Sequence, residues 1–536
     1  MYKRQVNETF VNFENLTGSV GDDNLTGDAG ANVLNGAEGD DTLSGGGGAD
    51  TLIGGDGDDI LVGGGGTDII DGGAGIDTNS FEGIGLGVTA TLNADGTGTA
   101  DYGMVNETFT GIENLIGTDN DDVLTATGAA ANTIFGGAGD DIIAGGGGTD
   151  FLDGGDGNDT NSFVGIGGDV TASLVDGTAS YGMVNETFVN FENLTGSVGD
   201  DNLTGDAGAN VLEGAEGDDT LSGGGGADTL IGGDGDDILV GGGGTDIIDG
   251  GAGIDTNSFA GIGLGVAATL NADGTGTADY GMVNETFTGI ENLTGSDNDD
   301  VLIATGAAAN TIFGGAGDDI IAGGGGTDIL DGGDGNDTNS FVGIGGDVTA
   351  SLVDGTASYG MVNETFVNFE NLTGSVGDDN LTGDAGANVL EGAEGNDTLS
   401  GGAGNDTLDG GDGFDTVTFL DVADNISVTD NGDGTFTVSS ALDGVNTLRN
   451  VESLLDSTGA VIDFDLTDTV SSATSSAPVS SVSLSTSPLF EDLSASDALF
   501  DETTSFETEA EFVGNNDVFE DDFVDFVAIP DMFEVA

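Results

Sequence analysis

Nine residues recur along most of this chain, and the recurrence leaves few folds open. From Gly18 the sequence reads GSVGDDNLT, GDAGANVLN, GAEGDDTLS, GGGGADTLI, GGDGDDILV, GGGGTDIID and GGAGIDTNS, seven units that end at Ser80. Five units follow over residues 117–162, with one residue inserted near Thr127, then seven over 196–258, five over 295–340 and five over 374–418, 29 in all. Each unit pairs a six-residue loop with a three-residue strand. Glycine at the first and fourth positions is expected to allow positive φ and close backbone approach. The sixth position is Asp or Asn, and the eighth is Leu or Ile, as at Leu25, Leu34, Leu43, Leu52, Leu61 and Ile70. Side chains alternate along a strand, so the eighth residue points inward and the seventh and ninth outward. Two units then close one coil. The fold class expected is all-β: several right-handed parallel β-rolls, with leucines stacked inside and aspartate loops stacked along both edges.

A longer repeat is laid over the short one. VNETF begins at Val6, Val105, Val184, Val283 and Val362, a long step and a shorter one in strict alternation. Between rolls the pattern changes to segments such as GVTATLNADGTGTADYG (87–103), whose alternation about a D-G turn predicts a β-hairpin. The expected organisation is β-rolls at 18–80, 117–162, 196–258, 295–340 and 374–418, with linking modules at 81–116, 163–195, 259–294 and 341–373. A β capping module covers 419–470, and a linker with a partly disordered acidic tail covers 471–536. Residues 1–17 read as a truncated linking module with a foreign start, because Val105 follows a long segment and Val6 only MYKRQ. That makes the sequence look like the C-terminal piece of something longer. Asn79 and Asn161 take inward slots, where a polar residue should end the leucine stack and stop the roll. Asn257 and Asn339 stand in the matching places beside Thr256 and Thr338. Phe109, Ile112 and Leu115 are expected to pack over an open roll end.

Composition narrows the chemistry. The chain carries 99 acidic and 3 basic residues, a net charge of -96, so internal ion pairs cannot neutralise it. Nucleic acid and anionic membrane, which both call for Lys and Arg, are excluded as partners. With no Cys and no His there are no disulfides, no common zinc site and no Cys–His or Ser–His nucleophile system. What remains is oxygen, from carboxylates and from the carbonyls of glycine-rich turns. Such donors suit a hard cation, Ca²⁺ before Mg²⁺, because Ca²⁺ accepts irregular shells of six to eight oxygens. An EF-hand at Asp430 is ruled out, since its twelfth position is Ala441 and not Glu. DNGDGTF there reads as a hairpin turn between 426–429 and 435–439. No apolar run is long enough for a membrane-spanning helix, and no catalytic constellation is expected.

The units resemble the calcium-binding nonapeptide of RTX (repeats-in-toxin, haemolysin-type) proteins, GGxGxDxUx. Gly54–Val62 and Gly136–Ala144 fit at every defined position; Ser19 and Asp28 depart at the second, and Asn32 and Asn210 replace the Asp. IENLIGTDNDDVLTA from Ile112 looks like the lead-in to such blocks, and Asp415–Gly459 looks like the family's closing module. The resemblance implies that loops two units apart share an ion, held by aspartates and loop carbonyls of both turns. The ligands so implied are Asp23, Asp41, Asp50, Asp59, Asp68 and Asp77 in the first roll and Asp122, Asp141, Asp150 and Asp159 in the second. The third contributes Asp201, Asp219, Asp228, Asp237, Asp246 and Asp255, and the fourth Asp300, Asp319, Asp328 and Asp337. Asp379, Asp397, Asp406 and Asp415 complete the set in the fifth. A run of n units gives n−2 stacked pairs, 19 in total, so about 15 to 20 calcium ions are expected once the Asn substitutions are allowed for.

The resemblance further implies a secreted bacterial protein exported by a type I system, with a C-terminal signal in the Phe-, Val- and acid-rich tail. A short helix is expected after Ser487–Pro488. Calcium, a transient exporter contact and cell-surface or matrix ligands are the expected partners. Two roles stay open: a structural or adhesive repeat region, or a secretion and folding module for an enzyme or toxin domain upstream.

Overall fold

The computed structural model describes residues 13–462, and the expected foreign start, linker, short helix and acidic tail lie largely or wholly outside that range. Fifty strands fill the described chain, with one 3₁₀ turn at Ala423–Asn425. They form two sheets, one of 26 strands and one of the remaining 24. Successive units alternate between the sheets, and each strand pairs in parallel with the strand two units on. Leu34 lies opposite Leu52 and Leu52 opposite Ile70 in one sheet; Leu25, Leu43 and Leu61 align in the other. This is the coil of two units that the nine-residue period requires.

The eighth position of each unit builds the core. Leu34, Leu43, Leu52 and Leu61 have no exposed surface, whereas Leu25 at the beginning of the described chain is only partly covered. Positive φ falls on the second and fourth residues of the loop, such as Gly55 and Gly57, not on the first and fourth as expected. The first glycine serves close approach instead, because a Cβ on Gly54 would collide with the Asp59 carboxylate and the Gly72 carbonyl. The residue inserted near Thr127 lengthens one coil by a single position: Leu115 faces Ile134, and the ladder then resumes in step.

The linking modules do not interrupt the sheets. Asn79 pairs with Leu115 as an ordinary rung, and Phe109 pairs with Ile70. Phe109, Ile112 and Leu115 are therefore buried within a continuing stack, not laid over an open end. The expected stop at the inward asparagines does not occur, and Asn257 and Asn339 are as deeply buried as Asn79 and Asn161. At the first joint, three strands, Val105–Thr110, Gly98–Tyr102 and Thr89–Leu92, stand between Ile69–Ala74 and Val123–Ala126 in the larger sheet. In the other sheet only Asn114–Ile116 stands between Thr78–Ser80 and Thr133–Ala138. The second joint inserts its three strands, Val184–Val189, Thr178–Tyr181 and Val170–Ser173, into the smaller sheet instead. The third joint repeats the first and the fourth repeats the second. After the fifth roll, Ser427–Asp430, Thr435–Ser440 and Gly444–Arg449 form the expected hairpin with a third strand added.

Candidate metal centre

The sixth residue of each unit turns its side chain under the loop, into the edge of the roll. The 24 aspartates expected as ligands are all buried except Asp23, which lies partly exposed near the beginning of the described chain. They form two ladders per roll, one on each edge. In the first roll the N–H of Asp23 donates to Asp41 Oδ1 (2.7 Å), that of Asp41 to Asp59 Oδ1 (2.8 Å) and that of Asp59 to Asp77 Oδ1 (2.8 Å). On the other edge Asn32 donates to Asp50 Oδ1 and Asp50 to Asp68 Oδ1, both at 2.7 Å. The same ladders recur in the later rolls, through Asp122, Asp141 and Asp159 and through Asp201, Asp219, Asp237 and Asp255.

One oxygen of each carboxylate is thus engaged and the other is not. Among the described residues, nineteen aspartates carry a buried Oδ2 with no hydrogen-bond partner, five in each seven-unit roll and three in each five-unit roll. Each faces the coil that follows, as Asp41 Oδ2 faces the Gly54 carbonyl, so the last free oxygen on either edge of the first roll looks onto the linking segment, Asp68 toward Glu107 and Asp77 toward the Gly111 carbonyl. A buried carboxylate oxygen without a donor is costly, so nineteen in fixed array call for something positive beside them. Carboxylate and carbonyl converge there: a Cβ on Gly36 would run into both Asp41 Oδ2 and the Gly54 carbonyl, and one on Gly232 into both Asp237 Oδ2 and the Gly250 carbonyl. Oxygen faces oxygen there, from two successive coils, with no proton between them. Among the described residues no three carboxylates converge on one point. A cation here would be held by a pair of carboxylates and completed by loop carbonyls, an all-oxygen shell suited to Ca²⁺.

Electrostatics agree with the geometry. Burial, reinforced by Asp122 and Asp159, pushes Asp141 up to about 7; burial with Asp201 and Asp237 does the same for Asp219. Asp77 rises to about 6 by burial, with Asp59 and Glu113 as charged neighbours. No basic group offsets this. Arg449 is the only basic residue among those described, and it is paired with Asp409 beside the closing hairpin.

Three features escaped the sequence reading. Asn132, Asn310 and Asn388 fill the sixth position as Asn32 and Asn210 do, each donating its backbone N–H to the aspartate one coil on. A second, exposed ladder runs along the fifth position, where Asp58 donates to Asp40 Oδ1 (3.0 Å) and Ile76 to Asp58 Oδ1 (2.8 Å); the doubled Asp of GDD was its signal. Two glutamates of each linking module also continue the edges. Glu113 Oε2 accepts the Asp77 N–H at 2.9 Å in the manner of a next-coil aspartate. Glu107 is fully buried, accepting from Asn79 Nδ2 (2.9 Å) and the Tyr102 hydroxyl (3.2 Å), and burial pushes it up to about 7. The recurrence of VNETF and IEN at fixed offsets was the available signal.

Two parallel sheets wound into one roll, edged by stacked acidic loops, define a β-roll repeat protein. More particularly, the nonapeptide units are RTX calcium-binding repeats. The four-copy model of the RTX calcium-binding nonapeptide repeat matches residues 17–52, 44–78, 127–160, 195–230, 222–256, 304–338, 369–399 and 382–417. No curated protein matches. Among solved structures the chain is similar to the extracellular lipase LipA from Serratia marcescens, at 19% identity and a TM-score of 0.14. That alignment covers 53% of this chain and 38% of the lipase, so the chain spans well under half of that protein. The repeats are calcium-binding repeats and form a structural repeat region; the matched family is not a catalytic one.

Proposed function

We propose that this chain is an extracellular calcium-loaded scaffold whose rolls fold as the ions enter. The observation that carries the reading is the array of nineteen buried, partnerless aspartate oxygens, each placed between two coils. Asp41, Asp59 and Asp77, and their counterparts on both edges of every roll, hold the ions together with loop carbonyls. Calcium supplies positive charge to oxygens that have no other source of it. About 15 to 20 ions are accommodated, and pairs that include an asparagine bind more weakly for want of one charge. Binding free energy becomes folding free energy, because the site exists only when two coils are stacked. Buried aliphatics contribute one side chain per nonapeptide, too few to order glycine-rich loops against acidic repulsion.

A compartment logic supports the reading. Where calcium is scarce the chain stays unfolded and threads an exporter; sites in extracellular modules bind at roughly 10⁻⁴ to 10⁻³ M and fill outside. The long duplicated units, one starting at Val6 and its copy at Val184, favour a structural or adhesive role, since length is what such a repeat adds. Far-ultraviolet circular dichroism with and without millimolar calcium tests the central claim. β-signal should emerge on calcium addition and vanish with chelator, and equal signal in both states would defeat the proposal. Removal of the tail beyond residue 470 should abolish export from a type I host and leave calcium-induced folding intact.

A further inference from the structure

We propose that each of the four linking hairpins completes an additional divalent-cation site, for Ca²⁺, that the nonapeptide pattern does not encode. Its carboxylates are Asp68 with Glu107, Asp150 with Glu186, Asp246 with Glu285 and Asp328 with Glu364. The inference rests on the calcium reading of the rolls and extends it to segments outside the repeats.

Register gives the first argument. Thr108 lies opposite Ile69, so Glu107 occupies the place one coil beyond Asp68 where the next sixth-position aspartate would stand. The hairpin path carries no loop there, so the loop carbonyl that ordinarily faces the free Asp oxygen is missing. The Glu107 side chain restores it: a Cβ on Gly63 would meet Asp68 Oδ2 at 2.7 Å and Glu107 Oε2 at 2.9 Å. At the second joint a Cβ on Gly145 would meet Asp150 Oδ2 at 2.8 Å and Glu186 Oε2 at 3.1 Å. Asp246 is a charged neighbour of Glu285, and Asp328 of Glu364.

The second argument is the shortage of protons. Asp68 Oδ2 is buried and has no donor, and the corresponding oxygens of Asp150, Asp246 and Asp328 share that condition. The Gly64 and Gly66 carbonyls point to the same place, each within 3.2 Å of the Tyr102 hydroxyl, which also faces Glu107 Oε2 at 3.2 Å. One hydroxyl proton cannot serve three acceptors. Tyr280 meets the Gly242 and Gly244 carbonyls in the same way, whereas Tyr181 and Tyr359 each meet one, of Gly146 and of Gly324. An oxygen cage of two carboxylates, one or two carbonyls and a phenol, short of protons and closed to basic side chains, suits a hard cation.

The fifth roll supplies a contrast. There the residue one coil beyond Asp406 is Asn446, whose Oδ1 accepts the Asp406 N–H at 2.8 Å, and Arg449 stands three residues on. There an asparagine takes the place of the glutamate and a carboxylate beside Asp406 is that of Asp443, while Arg449 is paired with Asp409. A calcium ion at the other four joints would tie each roll to the hairpin that delivers the chain to the next, so that loading one roll orders the entry to its neighbour.

The test is the number of calcium ions bound per full chain at saturation, by equilibrium dialysis, for the wild type and for E107Q/E186Q/E285Q/E364Q. Glutamine keeps the shape and the acceptor for the inward asparagine and removes the charge. Four fewer ions, with an unchanged β-signal at saturating calcium, is the expected result; an equal count overturns the proposal. If the quadruple variant fails to fold, the double variant E107Q/E285Q replaces it, with two fewer ions expected and an equal count again overturning the idea. A wild-type chain that binds no calcium would instead overturn the reading of the rolls themselves.

Discussion

Ala37, Ala215 and Ala393 sit at φ of 91°, 89° and 81°, in the second loop position that is glycine in most units. A Cβ there crowds the following carbonyl, at a cost of about 1–2 kcal/mol. Ala215→Gly should raise the stability of the calcium-loaded chain by about 1 kcal/mol, the relief being reduced by the added freedom of the unfolded chain. Denaturant midpoints at saturating calcium will show it. The converse is Gly244→Ala, whose Cβ would overlap the Gly226 carbonyl of the previous coil and should prevent that loop from stacking. The carboxylates make a second prediction at this scale. Asp77 is held at about 6, and Asp141 and Asp219 at about 7, against 3.8 for an unburied group. A folded pKa above the unfolded one means that the folded chain holds more protons between the two values. Without calcium, stability is therefore greatest below the unfolded value and is lost as pH climbs through about 6 to 7. Calcium-free protein should gain β-signal when taken from about pH 7.5 to about pH 5, and a loss over that range would contradict the assignment. Position within the nonapeptide was legible down to the stacked acidic column, because period fixes which residue faces inward. Which glycines carry positive φ was not, since loop dihedrals depend on the coil stacked beneath.

Apart from those with an inward asparagine, each nonapeptide strand places one aliphatic at its eighth position in the core. Leu230 is fully enclosed between Leu212 and Ile248 on its own sheet, so Leu230→Ala should cost about 2–5 kcal/mol at saturating calcium. A smaller loss, by the same denaturant measurement, would mean that the stack collapses around the gap. The strands were legible because their period is short and their partners always lie two units away. The joints were not. Asn79 alone reads as a polar stop, but its side chain is met by Glu107, 28 residues on, through a hairpin that folds back into the sheet. Nothing local to Asn79 announces that partner. Only the recurrence of an inward Asn before each VNETF after the first, with Asn161 and Glu186 25 residues apart, links the two.

For the molecule as a whole, nineteen divalent ions would bring the formal charge from -96 to -58, and four more at the joints to -50. The loaded chain stays strongly acidic, while the net charge that opposes compaction is roughly halved. The joints also keep the two sheets in balance. Each inserts three rungs into one sheet against one rung in the other, a surplus of about 10 Å at the usual strand spacing. The surplus falls in opposite sheets in turn because every roll contains an odd number of nonapeptides, so each pair of joints adds equally to both. Excision of a single nonapeptide from the third roll would place two successive surpluses in the same sheet, and that mismatch should lower the denaturant midpoint of the calcium-saturated chain.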